Sequence, residues 1–196
     1  MGEKAVTPSA DTLAAAARAA GKKGPPPVHL WNPPFCGDLD IRIARDGTWF
    51  YLGTPIGRAP LVRLFAGILK LEDGRYYLVT PVEKVGIQVD DVPFIAVDFR
   101  VEGAGTPEQA ITFVTNVEDE VTASPDTPLR VERDPETGEP SPYVMVRRGL
   151  EARIDRKSFY RLVEIGEHAD HEGARWFGVR SGGAFFPIIP SAELEG

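Results

Sequence analysis

Cysteine is almost missing from this 196-residue chain: Cys36 stands alone. No internal disulfide can form, and the composition fits a reducing cytoplasm. Long apolar runs are missing as well, since none approaches the roughly 18 residues of a membrane span. The Ala-rich stretch at residues 12–20 is too weakly apolar for a signal peptide. There is no basic excess. Lys and Arg number 22 against 29 Asp and Glu, a net charge of −7, which argues against nucleic-acid binding driven by phosphate contacts. The spacings that carry common chemistries are absent too. There is no G-x-G-x-x-G, Walker loop, G-x-S-x-G elbow or C-x-x-C. No cofactor is therefore expected.

What the chain does have is a repeated signature. Leu61-Val62-Arg63-Leu64-Phe65 followed by Arg75-Tyr76-Tyr77-Leu78-Val79 returns as Phe159-Tyr160-Arg161-Leu162-Val163 followed by Arg175-Trp176-Phe177-Gly178-Val179. Each copy reads as an amphipathic helix, a polar turn and an aromatic-rich strand. The fold class predicted is α+β, with duplicated strand-strand-helix-strand-strand halves that are mostly antiparallel. Leu64 should then match Leu162, and Tyr77 should match Phe177.

Residues 1–36 read as a disordered or extended N-terminal arm with a short Ala-rich helix, stopped by Gly21-Lys22-Lys23-Gly24 and Pro25-Pro26-Pro27. The first half covers 37–105 and the second 106–196. The boundary is placed in the small, turn-prone run Gly103-Ala104-Gly105-Thr106-Pro107. Residues 38–44 alternate polar and apolar as a half-buried strand does, and Asp46-Gly47 signals a hairpin. A helix opening at Pro60 carries Leu61, Leu64, Phe65, Ile68 and Leu69 on one face and ends at Glu72-Asp73-Gly74. Strands follow at 76–80, 85–89 and 95–101. The second half has strands at 110–116, 129–133, 143–147 and 150–154, then a helix capped by Asp155, then strands at 176–179 and 184–188.

His168-Ala169-Asp170-His171-Glu172 is the one metal-like cluster. It falls where the first copy has a turn, so an exposed turn without a metal is expected. Asp38, Asp40, Asp46, Asp90 and Asp91 lie beside hairpin turns and read as turn formers. Three places suit an anion. Thr54, Gly57 and Arg58 precede a helix start with no capping acid, where N–H groups and the helix dipole attract negative charge. Arg58 adds a planar cationic fork. Thr80, Glu83 and Lys84 put a hydroxyl, an acid and a base in one connection, or form a salt-bridged turn. Residues 147–161 are basic within an acidic half. Arg148 and Arg153 from this strip are read as ligand-facing, and the strip also reads as the partner of the acidic run at 118–139.

A family resemblance rests on specific residues. Gly37-Asp38-Leu39-Asp40-Ile41-Arg42-Ile43 with Asp46-Gly47 and Trp49, Pro55-Ile56-Gly57-Arg58, Tyr77-Leu78-Val79-Thr80-Pro81-Val82-Glu83-Lys84 and Asp91-Val92-Pro93-Phe94 resemble the proteobacterial domain-of-unknown-function family 1285. The second half contributes Arg148-Gly149-Leu150 and Phe159-Tyr160-Arg161-Leu162. The likeness runs over about residues 33–189. It implies a duplicated α+β core whose C-terminal half is loosely like a pleckstrin-homology fold. It also implies a nucleotide-like ligand at the interface of the halves and a role in signal transduction. It brings no catalytic residue with it.

The reading is a cytoplasmic, non-enzymatic ligand-binding or regulatory protein for a small anionic ligand, with room for a protein partner and none for nucleic acid or membrane. Arg58, Thr80 and Lys84 are expected to face Arg148 and Arg153. Two other classes compete. One is an enzyme using Asp38, Asp40, Glu83 and Lys84 on a phosphorylated small molecule. The other is a protein–protein adaptor. An enzyme should gather perturbed acids and bases in one cleft, and an adaptor should expose an apolar patch.

Overall fold

The computed structural model describes residues 7–21 and 25–196. Expectations about residues 1–6 and 22–24 lie outside the described residues. The chain divides into two units, Met1–Asp91 and Val92–Gly196.

The N-terminal unit begins with α1 (Ala10–Ala20), opened by a capping box. The Ser9 side chain accepts from the Thr12 N–H at 3.2 Å, and the Thr12 hydroxyl accepts from the Ser9 N–H at 3.1 Å. Leu13, Ala14 and Ala17 are buried, and α1 packs against α2 (Ala59–Gly67). The Ala-rich helix is thus part of a core and does not belong to a detached arm.

β1 (Phe35–Ile43) and β2 (Trp49–Tyr51) form the expected hairpin. The Asp46 carboxylate accepts from the Thr48 N–H at 2.9 Å, and Gly47 takes the left-handed conformation the turn requires, φ 87°. β3 (Thr54–Pro55), β4 (Leu69–Glu72), β5 (Arg75–Val79) and β6 (Lys84–Val89) complete a sheet in the order β3-β2-β1-β6-β5-β4. All pairings are antiparallel except β1 with β6. One face buries Ile41, Ile43, Trp49, Leu78 and Val85, and Phe65 of α2 stacks on Trp49 with ring centroids 6.3 Å apart.

α2 stops at Gly67, earlier than its apolar pattern suggests. The reason is the hairpin that follows. Asp73 (φ 50°) and Gly74 (φ 76°) both sit in the left-handed region, which commits residues 69–72 to pair with β5.

The C-terminal unit contains β7 (Phe94–Glu102), β8 (Ala110–Thr115), β9 (Glu120–Thr122), β10 (Leu129–Arg133), β11 (Pro140–Arg147) and β12 (Leu150–Ile154). They form one sheet in the order β10-β11-β12-β7-β8-β9. β9 returns against β11, so the sheet curls toward a half-barrel, loosely pleckstrin-homology-like. α3 (Arg156–Glu164) follows, with the Asp155 carboxylate accepting from the Ser158 N–H at 2.8 Å as the expected cap. β13 (Glu167–His171), β14 (Ala174–Ser181) and β15 (Ala184–Pro190) make a three-stranded antiparallel sheet.

The boundary between units falls at Asp91 and Val92, not at residues 103–107. The strand expected to close the first half is β7, which pairs antiparallel with β8 and parallel with β12. Residues 103–107 are only the turn of that hairpin, where the Thr106 N–H donates to the Gly103 carbonyl at 3.0 Å.

The duplication is visible in the elements. Leu64 and Leu162 lie in α2 and α3, each nine residues long, and Tyr77 and Phe177 lie in β5 and β14. A three-stranded antiparallel meander follows each helix. The copies differ in how the meander is used. In the first unit it joins the hairpin through β1 and β6. In the second it stays a separate sheet, and β12 takes the parallel place beside β7.

Candidate functional site

The anion-binding residues read from the sequence fall into separate places. Thr54, Gly57 and Arg58 are exposed around the start of α2. Arg58 is the N-cap, its carbonyl accepts from the Leu61 N–H at 3.0 Å, and no side chain caps the helix. Thr80, Glu83 and Lys84 lie at the opposite end of the same sheet. Register shows this: β1 and β6 run parallel from Phe35 and Lys84 to Ile43 and Val89. Ile56 bonds to Trp49, beside Ile43, whereas Val79 pairs with Lys84. A nine-residue helix, roughly 13 Å long, separates the two groups. Arg58 therefore does not share a site with Thr80 and Lys84.

Thr80 and Lys84 are also committed to local partners. The Thr80 hydroxyl is fully buried and accepts from the Glu83 N–H at 3.2 Å, so it builds the turn. Lys84 lies 3.5 Å from the Glu72 carboxylate and 4.8 Å from the centre of the Tyr77 ring. The partner of Lys84 is therefore on β4 and not within the turn itself. Arg148 occupies the turn before β12 (φ 44°), and Arg153 lies near the far end of that strand, roughly 16 Å away by strand rise. Arg153 Nη2 reaches Ser141 Oγ at 3.4 Å. At least three of the six basic residues in the strip are paired with acids. Arg147 bonds Asp119, and Arg156 lies 3.4 Å from Glu139, both within the acidic run, whereas Arg161 bonds Asp98 outside it.

His168 and His171 are not in a turn. They stand in β13, three residues apart, and so point to opposite faces. His168 Nδ1 lies 2.7 Å from Ser191 Oγ, and its ring packs on Phe177, whereas the His171 ring packs on Phe185. Among the described residues no three of His, Cys, Asp or Glu converge as a metal shell requires. Cys36 is exposed.

Among the described residues Glu83 is the one carboxylate whose pKa is raised, by burial. Burial favours its neutral form in the folded state. The stabilisation is complete below the unfolded pKa and is lost as pH rises through the higher folded value. Glu83→Gln is therefore expected to raise the melting temperature at pH 7 and leave it unchanged near pH 3. A scan at both pH values checks this, and a lower melting temperature at pH 7 would contradict it.

The face of the N-terminal sheet away from α2 carries a constellation that the motif search missed. Asp38, Gly86 and Tyr77 lie side by side on β1, β6 and β5. Gly86 leaves the middle of the row bare, and Arg75 reaches across it to the Asp38 carboxylate. A Cβ at residue 86 would collide with that carboxylate and lie 2.6 Å from Arg75 Nη2. The Arg75 guanidinium also sits 5.4 Å from the centres of both the Phe35 and Tyr77 rings, which meet edge to face at 6.0 Å. Phe35 is 50% exposed. Beside this platform is a depression of about 300 Å³ lined by Asp38, Asp40, Arg75, Gly86 and Gln88. The sequence signal was a lone glycine inside the strand pattern Val85-Gly86-Ile87, which marks a close approach.

A larger depression of about 430 Å³ lies in the C-terminal unit. Its polar groups bond to one another. Gln109 Nε2 donates to the Arg180 carbonyl at 2.8 Å, and Ser181 Oγ donates to the Ala123 carbonyl at 2.7 Å.

Comparison with known proteins agrees with this architecture. Residues 26–92 match the model "Domain of unknown function (DUF1285), N-terminal domain". Residues 93–188 match "Protein of unknown function (DUF1285), C-terminal domain". The chain is similar to the crystal structure of a DUF1285 family protein from Silicibacter pomeroyi DSS-3. Identity is 61%, 94% of this chain and 98% of that one are covered, and the TM-score is 0.84. It is also similar to the crystal structure of a DUF1285 family protein from Shewanella baltica OS155. There identity is 30%, coverage is 65% and 92%, and the TM-score is 0.51. The curated proteins gave no match. Among the described residues no helix is long and apolar enough to cross a membrane. With both of its units matched in chain order, and a solved relative aligned over nearly its whole length, the chain belongs to the DUF1285 family.

Proposed function

We propose that the chain is a cytoplasmic, non-enzymatic ligand-binding protein that takes a small nucleotide-like anion and serves a regulatory role in signal transduction. The ligand is assigned to the open face of the N-terminal sheet. The observation that carries this is the Arg75–Asp38 pair laid over Gly86 beside the half-exposed Phe35 ring. Phe35 offers a surface on which a heteroaromatic ring can stack. Asp38, Asp40 and Gln88 supply acceptors for ring N–H groups, and Arg75 supplies a planar cation for a phosphate.

The test is a thermal-shift screen of purine and pyrimidine mono-, di- and cyclic nucleotides, followed by calorimetry on the best one. Ligand at about 100 times its dissociation constant should stabilise by roughly 2.7 kcal/mol. Arg75→Ala is expected to weaken binding by about ten- to a hundredfold, the loss of one charge-assisted hydrogen bond. Arg58→Ala should leave affinity unchanged. A wild-type protein that no nucleotide stabilises, or an Arg75→Ala protein that binds as tightly as wild type, would sink the assignment.

A further inference from the structure

We propose that a groove in the C-terminal unit docks an extended segment of a partner protein in which an acidic residue adjoins a large apolar one, and that Glu193 and Leu194 occupy the groove in its absence. The groove has a volume of about 240 Å³ and is lined by Pro140, Phe159, Val163, Phe177, Ile188 and Leu194. Arg133 stands at its rim, with Nη1 2.6 Å from the Glu193 carboxylate. The chain itself therefore displays the chemistry the groove accepts, a carboxylate on Arg133 and an apolar side chain over the apolar lining.

Its hold is weak. Residues 191–193 form a single 3₁₀ turn, anchored by buried Ser191 against His168 Nδ1 at 2.7 Å. The Arg133–Glu193 pair is substantially exposed on both sides, and such pairs contribute little. Leu194 remains 50% exposed, so the lining is only partly covered.

The track also continues beyond Leu194. Pro140 and Phe159 line both this groove and a neighbouring depression of about 260 Å³, where Arg153, Arg156 and Tyr160 stand. Glu139 and Asp155 line the same depression and balance these arginines, so a longer segment would continue on apolar contact with Pro140 and Phe159 and displace the two-residue stand-in. A tethered competitor of this kind lowers apparent affinity without touching the partner's own contacts.

The experiment uses the full chain and a fluorescein-labelled peptide, Pro-Ser-Ala-Glu-Leu-Glu-Gly, copied from residues 190–196. Fluorescence anisotropy compares wild type with a Glu193→Gln, Leu194→Ser double variant. The variant should bind the peptide about threefold tighter than wild type, because its weakly held tethered competitor is disabled. Replacing the first Glu of the peptide by Gln should weaken binding by about threefold, and replacing its Leu by Ser by about tenfold. Val163→Glu in the same background should abolish binding, with circular dichroism reporting on folding. If that variant does not fold, the peptide replacements decide alone. No saturable binding to the double variant, or binding indifferent to both peptide changes, overturns the proposal. Self-association of the double variant in sedimentation velocity also overturns it, by making a second copy the occupant.

Discussion

Phe65→Ala is expected to destabilise the protein by about 4 kcal/mol, in the range measured for deleting a fully buried phenylalanine. Phe65 has no exposed surface and is one of only two residues that α2 buries, the other being Ala66. Its ring supports Trp49, whose indole nitrogen is buried with no hydrogen-bond partner. Packing alone holds that indole in place. Alanine at residue 65 opens a cavity and removes the contact that positions Trp49. For a chain of this length each kcal/mol corresponds to roughly 2–4 °C, so the melting temperature should fall by about 8–16 °C. Urea unfolding followed by tryptophan fluorescence measures the loss. Leu64→Ala, half-buried on the same helix, should cost clearly less. A loss below about 1 kcal/mol for Phe65→Ala would mean that α2 is held by contacts other than this stack.

Gly178→Ala should cost about 3 kcal/mol, at the upper end of overpacking. Gly178 lies at the bulge between β14 and β15, and a Cβ there would run into the carbonyl oxygen of Phe186 and come within 2.8 Å of Phe185 Cζ. The obstacle is backbone inside a hydrogen-bonded ladder, so relief requires moving a strand. Gly86 supplies the contrast. There the colliding atoms are the ends of the Asp38 and Arg75 side chains, which can swing aside. Gly86→Ala should therefore disturb the ligand face with little loss of stability, whereas Gly178→Ala should lower the melting temperature by about 6–12 °C. Hydrogen exchange in β14 and β15 localises the damage. Unchanged protection there would contradict the account.

The features legible in the sequence are those with local causes. The Asp46-Gly47 hairpin, the Asp155 cap and the helix-strand signature around Leu64 and Leu162 each depend on residues close in sequence. β4 and β13 were missed for a physical reason. Leu69-Lys70-Leu71-Glu72 alternates as a strand does, but it continues the apolar stripe of a helix, and four residues cannot arbitrate between the two periods. The domain boundary was misplaced because β7 takes its partners from later in the chain, and strand pairing leaves no local mark. The candidate site failed for the same reason. Nothing near Lys84 announces that Glu72 will neutralise it, or that Arg58 and Thr80 will stand at opposite ends of a sheet. Arg75 and Asp38 become neighbours only because β6 enters between their strands with a glycine at the crossing.

That late insertion bears on how the N-terminal unit is born. β6 is its last strand in sequence and lies between β1 and β5 in space. A nascent chain released only as far as Val79 has the hairpin β1–β2 and the hairpin β4–β5, each with an unpaired inner edge. Exposed edges of this kind recruit other chains. Pairing Asp38 with Gly86 closes a loop of roughly 50 residues, an entropic cost met before the non-local contacts form. The two hairpins can therefore be joined only once six residues, Lys84–Val89, have been delivered.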